Sequence, residues 1–534
     1  MYNFSNSKNP VQSYEYTSDM TVLSAYSSAD LTWKKIGTLG LTGRFDKLST
    51  LPAASRTFFY PSVSLSTVLN DYLPLPEAIS FVKLRGSYAN VGSALTAPTI
   101  GSAYQAVTGS SVSSLIGYGT EVATSYDGPT YGNQNSVTIT KPYNNQPAAG
   151  LSGTLANPAI KPARNSSYEV GFDAKFLGNR LGLDVTHFVS DNGKQIFQLP
   201  VASSSGYSSQ LVNAVTTRRT GWEVALTGSV LANPTGLNWD VLANWSTYKE
   251  TLKEVGYGNE QSIYLAGPNH VFNVGDRLDG YYSYNYLRSP DGQVIINGTT
   301  GIPLVRPTGT NTMQFLGNTN PDWVWSVNNR FSYNNFNFSF QFDGRVGGVI
   351  RDQVYAYAMS SGNATDLVQG DLGTARLQEW QSTNLGTKSP TPAYVAPGVV
   401  VRSGAVQFDA NGNIANLNSL EFSQNTKAVT VQSYAQGVYN GGIEEPYMES
   451  KTYGKLREVI VGYTFKFNGD RARYLKGLNV SVVGRNLLYF AQRKDFDLDQ
   501  YAQGFDANSL GTLKNPSLQA ATVRSFGLNL NASF

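Results

Sequence analysis

The sequence predicts an all-β chain, an antiparallel wall of the transmembrane β-barrel kind. Three observations predict it. Apolar and polar residues alternate with period two along many segments. The connections between those segments fall into a short and a long class that alternate along the chain. The carboxyl-terminal stretch is itself an amphipathic strand, with Phe526, Leu528, Leu530, Ala532 and Phe534 interleaved with Ser525, Gly527, Asn529, Asn531 and Ser533. Strand side chains point alternately to opposite faces, so one face is greasy and the other wet. A dyad-repeat strand of about ten residues flanked by aromatic girdles is what a barrel in lipid needs.

Composition agrees and excludes other classes. The 534 residues contain no Cys, 12% aromatics with 33 Tyr, 52 Gly and 14% charged residues. That charged share lies well below the usual share of about 25%. Abundant aromatics and a net charge of only +3 exclude a disordered chain. A run of about 18 apolar residues is absent and mean hydropathy is negative, so membrane crossing by helices is excluded. Alternation hides hydrophobicity in a barrel. Zero Cys removes disulfides, thiolate metal sites and cysteine nucleophiles together. The small, dispersed basic excess argues against nucleic acid. Met1 to Asn6 carry no basic stretch followed by an apolar core, so no signal peptide is read there. The expectation is a fragment whose missing part lies upstream.

The strands follow in order: near 20–34, 37–47, 57–70, 80–92, 166–177, 181–198, 216–230, 237–251, 322–334, 336–350, 454–467, 478–490 and 522–534, about thirteen in all. Phe336, Phe338, Phe340 and Phe342 oppose Asn337, Ser339 and Gln341. Val459, Val461, Tyr463, Phe465 and Phe467 oppose Gly462, Thr464 and Lys466. Val170, Phe172 and Ala174 oppose Glu169, Asp173 and Lys175, and Trp239, Val241, Ala243 and Trp245 oppose Asn238, Asp240 and Asn244. Short connections are read at 177–180, 231–236, 333–335 and 468–477, and long ones at 93–165, 252–321, 351–453 and 491–521. Short turns on the periplasmic side and long loops outside are the barrel pattern. Residues 1–19 are a leading segment or outer loop, and 20–534 the wall. Single-chain antiparallel barrels have even strand counts, so the odd count predicts a wall that does not close on itself.

Several segments resemble the carboxyl-terminal part of the SusC/RagA-like TonB-dependent transporters of Bacteroidetes. Phe58-Phe59-Tyr60-Pro61-Ser62-Val63-Ser64 and Phe81 to Tyr88 are similar to the family's "FFPS(V/L)S…KLRASYG" stretch. Asn157-Pro158-Ala159-Ile160-Lys161-Pro162 with Tyr168 to Phe172 resembles "NPxLKPExxxxYExG", with Ala163 where Glu is usual. Asn213 to Glu223 resembles "NxGxxxNxGxE", Ala214 and Arg219 departing from it. Leu456 to Phe465 and Gly484-Arg485-Asn486-Leu487 resemble the closing strands. The resemblance implies a barrel of about 22 strands with a plugged lumen, of which about nine early strands, the plug domain and the TonB-contacting region are absent here. It also implies a SusD-like surface lipoprotein as partner, location in the outer membrane of a Gram-negative bacterium, and TonB-driven import of glycans or peptides.

Candidate sites are few. Tyr281, Tyr282, Tyr284 and Tyr286 form the richest aromatic cluster in an outer loop. Aromatic faces stack on sugar rings or peptide side chains, although loop packing or a girdle uses the same residues. Trp380, in the longest loop, is a weaker candidate of the same kind. Asp495, Asp497 and Asp499 alternate after the penultimate strand and are weak Ca²⁺ candidates, against a solvated loop face. Asp409 to Asn413 reads as a turn rather than a calcium loop, because Leu420 stands where the closing Glu belongs. Gly117-Tyr118-Gly119 lacks a third Gly, so no phosphate loop is read. The two His residues lack metal partners at ligand spacing; His187 shares its parity with outward residues and His270 falls in an outer loop. The reading is a non-enzymatic importer without cofactor. A passive porin or adhesin-type barrel is the alternative, and a barrel enzyme the third.

Overall fold

The computed structural model of the chain describes residues 21–34, 36–93, 133, 135, 137–143, 146–151, 153–256, 261–265, 270–307, 312–469, 475–492, 494, 497–499 and 523–534. The leading segment 1–19, the Gly117-Tyr118-Gly119 stretch and Asp495 lie outside the described residues.

Every segment read from alternation is a strand of one sheet. The strands are β1 (Val22–Trp33), β2 (Gly37–Leu48), β3 (Thr57–Val68), β4 (Ile79–Ser93), β5 (Ala163–Phe176), β6 (Leu181–Pro200) and β7 (Ser209–Leu231). They continue as β8 (Leu237–Val255), β9 (Trp323–Tyr333), β10 (Phe336–Val346), β11 (Tyr453–Lys466), β12 (Gly477–Ala491) and β13 (Ser525–Ser533). They pair antiparallel in chain order, each with its sequence neighbours, and Thr154–Leu155 adds in parallel to β7. Among the described residues β1 pairs only with β2, and β13 only with β12. The wall is therefore open, as the odd count predicted. Open edges in lipid strand backbone N–H and C=O groups at several kcal/mol each, so this sheet is an arc of a larger closed wall.

Register fixes which face meets lipid. Phe331, Phe338, Val461, Val482 and Leu528 lie in one row across β9 to β13. The adjacent row is Ser332, Asn337, Gly462, Ser481 and Asn529. In the first row Leu528 is 66% and Val482 56% exposed, while Ser481 in the second is 3% exposed. So broad an exposed apolar face has no place in water; acyl chains are its solvent. The outward Asn329 is satisfied by Trp239 Nε1, which donates at 3.0 Å to its Oδ1. Trp239, Tyr333, Phe336, Tyr463 and Phe534 mark the inner rim of this band, and Tyr88, Tyr168, Trp222 and Trp325 the outer one. Among the described residues no helix is long and apolar enough to cross a membrane; crossing is by strands.

Phe534 ends on the inner side. The inner connections, 34–36, 69–78, 177–180, 232–236, 334–335 and 467–476, are all short. At the two-residue hairpin Asn334-Asn335, Asn334 has φ 51°, the left-handed conformation that matches strand twist and that Asn tolerates. The outer connections are 49–56, 94–162, 201–208, 256–322, 347–452 and 492–524. Strict alternation of loop length is thus corrected. Two outer connections are short, the second closed by a 3₁₀ turn at Ser203–Ser205 with Gly206 at φ 82°.

Several strand ends differ from the sequence reading by a few residues, two of them for a plain backbone reason. β7 begins seven residues earlier than 216, because register shifts at Asn213/Val215 and Val215/Thr217 break the alternation there. β10 stops at Val346 rather than 350: Gly347 and Gly348 take φ 79° and 83° in succession, outside the extended region that carries a ladder. Val349–Arg351 then leaves the wall to pair with Met448–Ser450.

The connection 347–452 is not a plain loop. It carries three helices, α1 (Gln353–Ser360), α2 (Gly370–Ser382) and α3 (Val431–Tyr439). Asp352 caps α1 by accepting from Tyr355 N at 2.9 Å, and Thr430 caps α3 by accepting from Ser433 N at 3.1 Å. Met359, Leu367, Ala375, Val431 and Ala435 bury one another with Ile296 of the preceding outer connection. The outer mouth therefore carries a folded cap with its own core.

Candidate functional site

The concave face of the wall is polar by register. A cleft of about 880 Å³ runs along it, bordered by Arg85, Asp184, Glu223, Asn244, Asp343 and Arg345. Arg85 grips Asp184 at 2.5 and 3.2 Å and donates to Thr186 Oγ1 at 2.6 Å. Arg457 holds Asp343 with two nitrogens, at 2.8 and 2.5 Å. Such bidentate pairs fix side chains in a geometry that water alone would not. The lining is thereby a ladder of charges held in place, suited to polar solutes.

Asp497 and Asp499 of the last outer connection dock onto this ladder. Lys455 Nζ donates to Asp497 Oδ2 at 2.7 Å, Arg457 to Asp499 Oδ2 at 2.6 Å, and Tyr453 Oη to Asp499 Oδ1 at 2.8 Å. Protein cations thus occupy these two carboxylates, which are partly or wholly buried rather than solvated. Among the described residues no group of three or more His, Cys, Asp or Glu side chains is arranged to hold a metal ion.

The tyrosine cluster divides. Tyr281 and Tyr286 are buried, 6% and 8% exposed. Tyr281 Oη donates to Glu444 Oε2, and Arg351 holds the other oxygen of Glu444 at 2.5 Å. Burial, reinforced by the Glu444 charge, pushes the Tyr281 hydroxyl far above its usual range. Tyr286 donates its backbone N–H to Glu445 at 2.8 Å. Tyr282 packs edge-on against Phe272 and tilted against Phe315, with ring centroids 5.8 and 5.6 Å apart. Tyr284 is half-buried against the Tyr286, Val438 and Ile443 cluster. The four rings are mostly scaffolding for the cap and form no continuous platform.

Trp380 is different. It projects from α2, 60% exposed, at the edge of a cavity of about 460 Å³ shared with Arg376, Gln432, Gln436, Met359 and Pro390. The neighbouring Glu379 is buried and accepts backbone N–H bonds from Ala393 at 3.1 Å and from Val431 at 3.0 Å. It ties α2 to the start of α3 and so holds the cavity walls. A flat apolar ring beside amide and guanidinium donors offers stacking and hydrogen bonding together. The sequence singled out Trp380 but not its partners. The spacing Val431, Ala435, Val438 behind the Thr430 cap is the helical signal that would have found Gln432 and Gln436 on the free face.

The remaining candidates resolve simply. Asp409 Oδ1 accepts from Asn411 N and Asn413 N, both at 2.8 Å, closing the turn that the Asn-Gly pair suggested. His187 faces outward, its ring 4.4 Å from that of Trp222. The backbone of His270 sits in a short hairpin with Leu265.

Apolar without, charged within, elaborated on one side only, the wall defines an outer-membrane β-barrel. The chain belongs to the TonB-dependent receptor-like β-barrel family, whose model matches residues 1–297. It is 22% identical over 457 residues to TonB-dependent receptor P3 of Formosa agariphila, covering 80% of this chain and 41% of that protein. It is 21% identical over 421 residues to TonB-dependent receptor P26 of the same organism, covering 74% and 39%. Among solved structures it resembles the RagAB peptide transporter, with a TM-score of 0.61, 16% identity, and coverage of 91% of this chain and 45% of that one. The open-open state of the RagAB peptide importer gives 0.59, 17%, 91% and 45%. The chain thus spans less than half the length of these relatives, which fits a wall that is only an arc.

Proposed function

We propose that the chain is the carboxyl-terminal part of an active outer-membrane importer of oligosaccharides or peptides, driven through TonB and paired with a SusD-like surface lipoprotein. The observation that carries this reading is the one-sided build of the wall. A charged concave face leads up to a folded cap that rises only at the outer mouth, where solute arrives. The exposed Trp380 beside Gln432 and Gln436 suits the capture of a sugar ring or a peptide side chain. Likeness in fold to the RagAB peptide importer is in keeping with peptide cargo.

The test uses the intact transporter in cells. Uptake of labelled oligopeptides and oligosaccharides is followed with TonB present, with TonB deleted, and with the proton gradient collapsed. Uptake that stops in both perturbed cases supports active import. Uptake that continues at the same rate marks a passive pore and removes the reading. Capture of the transporter with a tagged lipoprotein partner tests the pairing separately.

A further inference from the structure

We infer that the membrane-facing surface carries a second ligand site, a cationic cleft for the phosphate group of an outer-leaflet lipid. This site is independent of the import reading, because it lies on the opposite face of the wall from the solute-facing ladder.

The placement follows from register. Tyr88 pairs with Tyr168 across β4 and β5, their ring centroids 4.9 Å apart. Val170 pairs with His187, and His187 with Trp222. These outward aromatics form the outer girdle, and aromatic girdles sit at the headgroup boundary. Moving outward on the same face, Ser166 pairs with Asp191 and Asp191 with Arg218, and Arg164 then pairs with Gly193. Two residues along a strand cover about 7 Å, so this level meets lipid headgroups rather than acyl chains.

A cavity of about 580 Å³ opens there, lined by Lys161, Arg164, Lys194, Lys253 and the single carboxylate Asp191, with Ser166 and Asn90. All four cations are exposed. Asp191 is already committed: Arg218 holds it at 2.7 and 2.8 Å, and Lys253 at 2.6 Å. Neither Lys161 nor Lys194 forms an ion pair among the described residues. The frame beneath them is fixed by Asn213. Its amide nitrogen donates to the carbonyls of Lys161 and Lys194, at 2.8 and 3.0 Å, and its Oδ1 accepts from Lys161 N at 2.8 Å. Arg164 spends one nitrogen on Asn90 Oδ1 at 3.2 Å, which leaves the rest of its fork for a phosphate. Four cations around one neutralised carboxylate, at headgroup depth, match a phosphorylated headgroup in charge and position.

The test is lipid retention by the intact transporter in mild detergent, read by native mass spectrometry. The probes are bisphosphorylated lipid A, the same lipid with its phosphates removed, and inorganic phosphate. The wild type should retain the phosphorylated lipid and not the stripped one. Arg164→Ala with Lys253→Ala should weaken retention by about fivefold for each cation removed, with uptake unchanged. Arg164→Lys with Lys253→Arg should restore it. If the double alanine variant fails to assemble, Lys161→Ala with Lys194→Ala tests the same cleft without touching Asp191. Equal retention of both lipids, or equal retention by wild type and an assembled alanine variant, overturns the site. Inorganic phosphate binding as tightly as the lipid overturns the lipid assignment.

Discussion

Arg457 and Asp499 are joined by a 2.6 Å hydrogen bond between strand β11 and the last outer connection. The register shift between Leu456 and Glu458 on β11 leaves Arg457 as an extra residue against β10, whose adjacent Phe342 and Gln341 pair with Leu456 and Glu458. There it reaches Asp343 and Asp499 at once. One guanidinium thus clamps an outer segment onto the lumen wall.

The clamp gives a pH dependence. Burial opposes ionisation of Asp499, but the hydrogen bonds from Arg457 and Tyr453 and the nearby positive charges outweigh it, holding this carboxyl well below the usual carboxylate range. A carboxyl with a depressed folded-state pKa contributes stability above its unfolded value, which is lost as pH falls through the folded one. Segment 497–499 should therefore stay docked from neutrality down through pH 4 and release only in stronger acid. Asp499→Asn should loosen it at neutral pH by about 1.5–3 kcal/mol, the range for a hydrogen bond to a charged group. Hydrogen exchange of Leu498 N–H, which donates to Tyr489 Oη at 2.9 Å, reports the release; unchanged protection in Asp499→Asn counts against the clamp.

Lys451 runs the other way. It is 2% exposed, and its Nζ donates to Thr319 O at 2.7 Å. Burial, aided by Arg345, lowers its pKa to about 8 from 10.5. Between those two values the unfolded chain binds more protons than the folded one, so stability rises with pH across that window. The melting temperature of the intact transporter should climb from pH 8 toward 10 relative to that of Lys451→Met, which lacks this titration. Parallel pH curves for the two proteins would show that Lys451 does not titrate in this window.

The inside–outside assignment predicts a depth gradient along β10. Phe340 lies between the inner rim at Phe336 and the outer rim at Gly344, which faces Trp325. Phe340→Arg should cost about 2–4 kcal/mol, the midplane value, and Phe338→Arg less, because it is nearer the interface. Asn337→Arg, on the lumen side beside Asn479, should be tolerated. Urea unfolding of the intact barrel in lipid vesicles measures all three; equal costs at Phe340 and Asn337 would overturn the assignment of the two faces.

The wall was legible in the sequence because a half-buried strand writes its two environments on alternate residues. Phe336 to Phe342 show this most plainly. Legibility failed wherever alternation stopped for a local reason. The shifts at Asn213 and Val215 hid the start of β7, and Gly347-Gly348 ended β10 early. The cap was hidden more deeply. Its helices are short and each buries only a few residues, such as Ala356 and Met359 of α1, so their apolar spacing drowns among Gly, Ser and Asn. The partners of Asp499 were invisible for another reason. Arg457 is 42 residues away, and only strand pairing brings the two together.

The cap makes the last prediction, which separates scaffold from binding surface. Tyr281→Phe removes the hydroxyl that donates to Glu444 and leaves Arg351 as the partner of that carboxylate. The loss should be about 1.5–3 kcal/mol of cap stability, with solute affinity falling only as far as the cap loosens. Trp380→Ala removes a ring that is already 60% exposed, so stability should move by no more than about 0.5 kcal/mol. Solute affinity should instead fall by about 0.5–1.5 kcal/mol, the worth of one aromatic stacking contact. Hydrogen exchange across 347–452 measures the first effect and titration with transported solute the second. Trp380→Ala binding as tightly as wild type would move the capture site away from α2, toward the half-buried Tyr282 and Tyr284, whose replacement by Ala is then the next measurement.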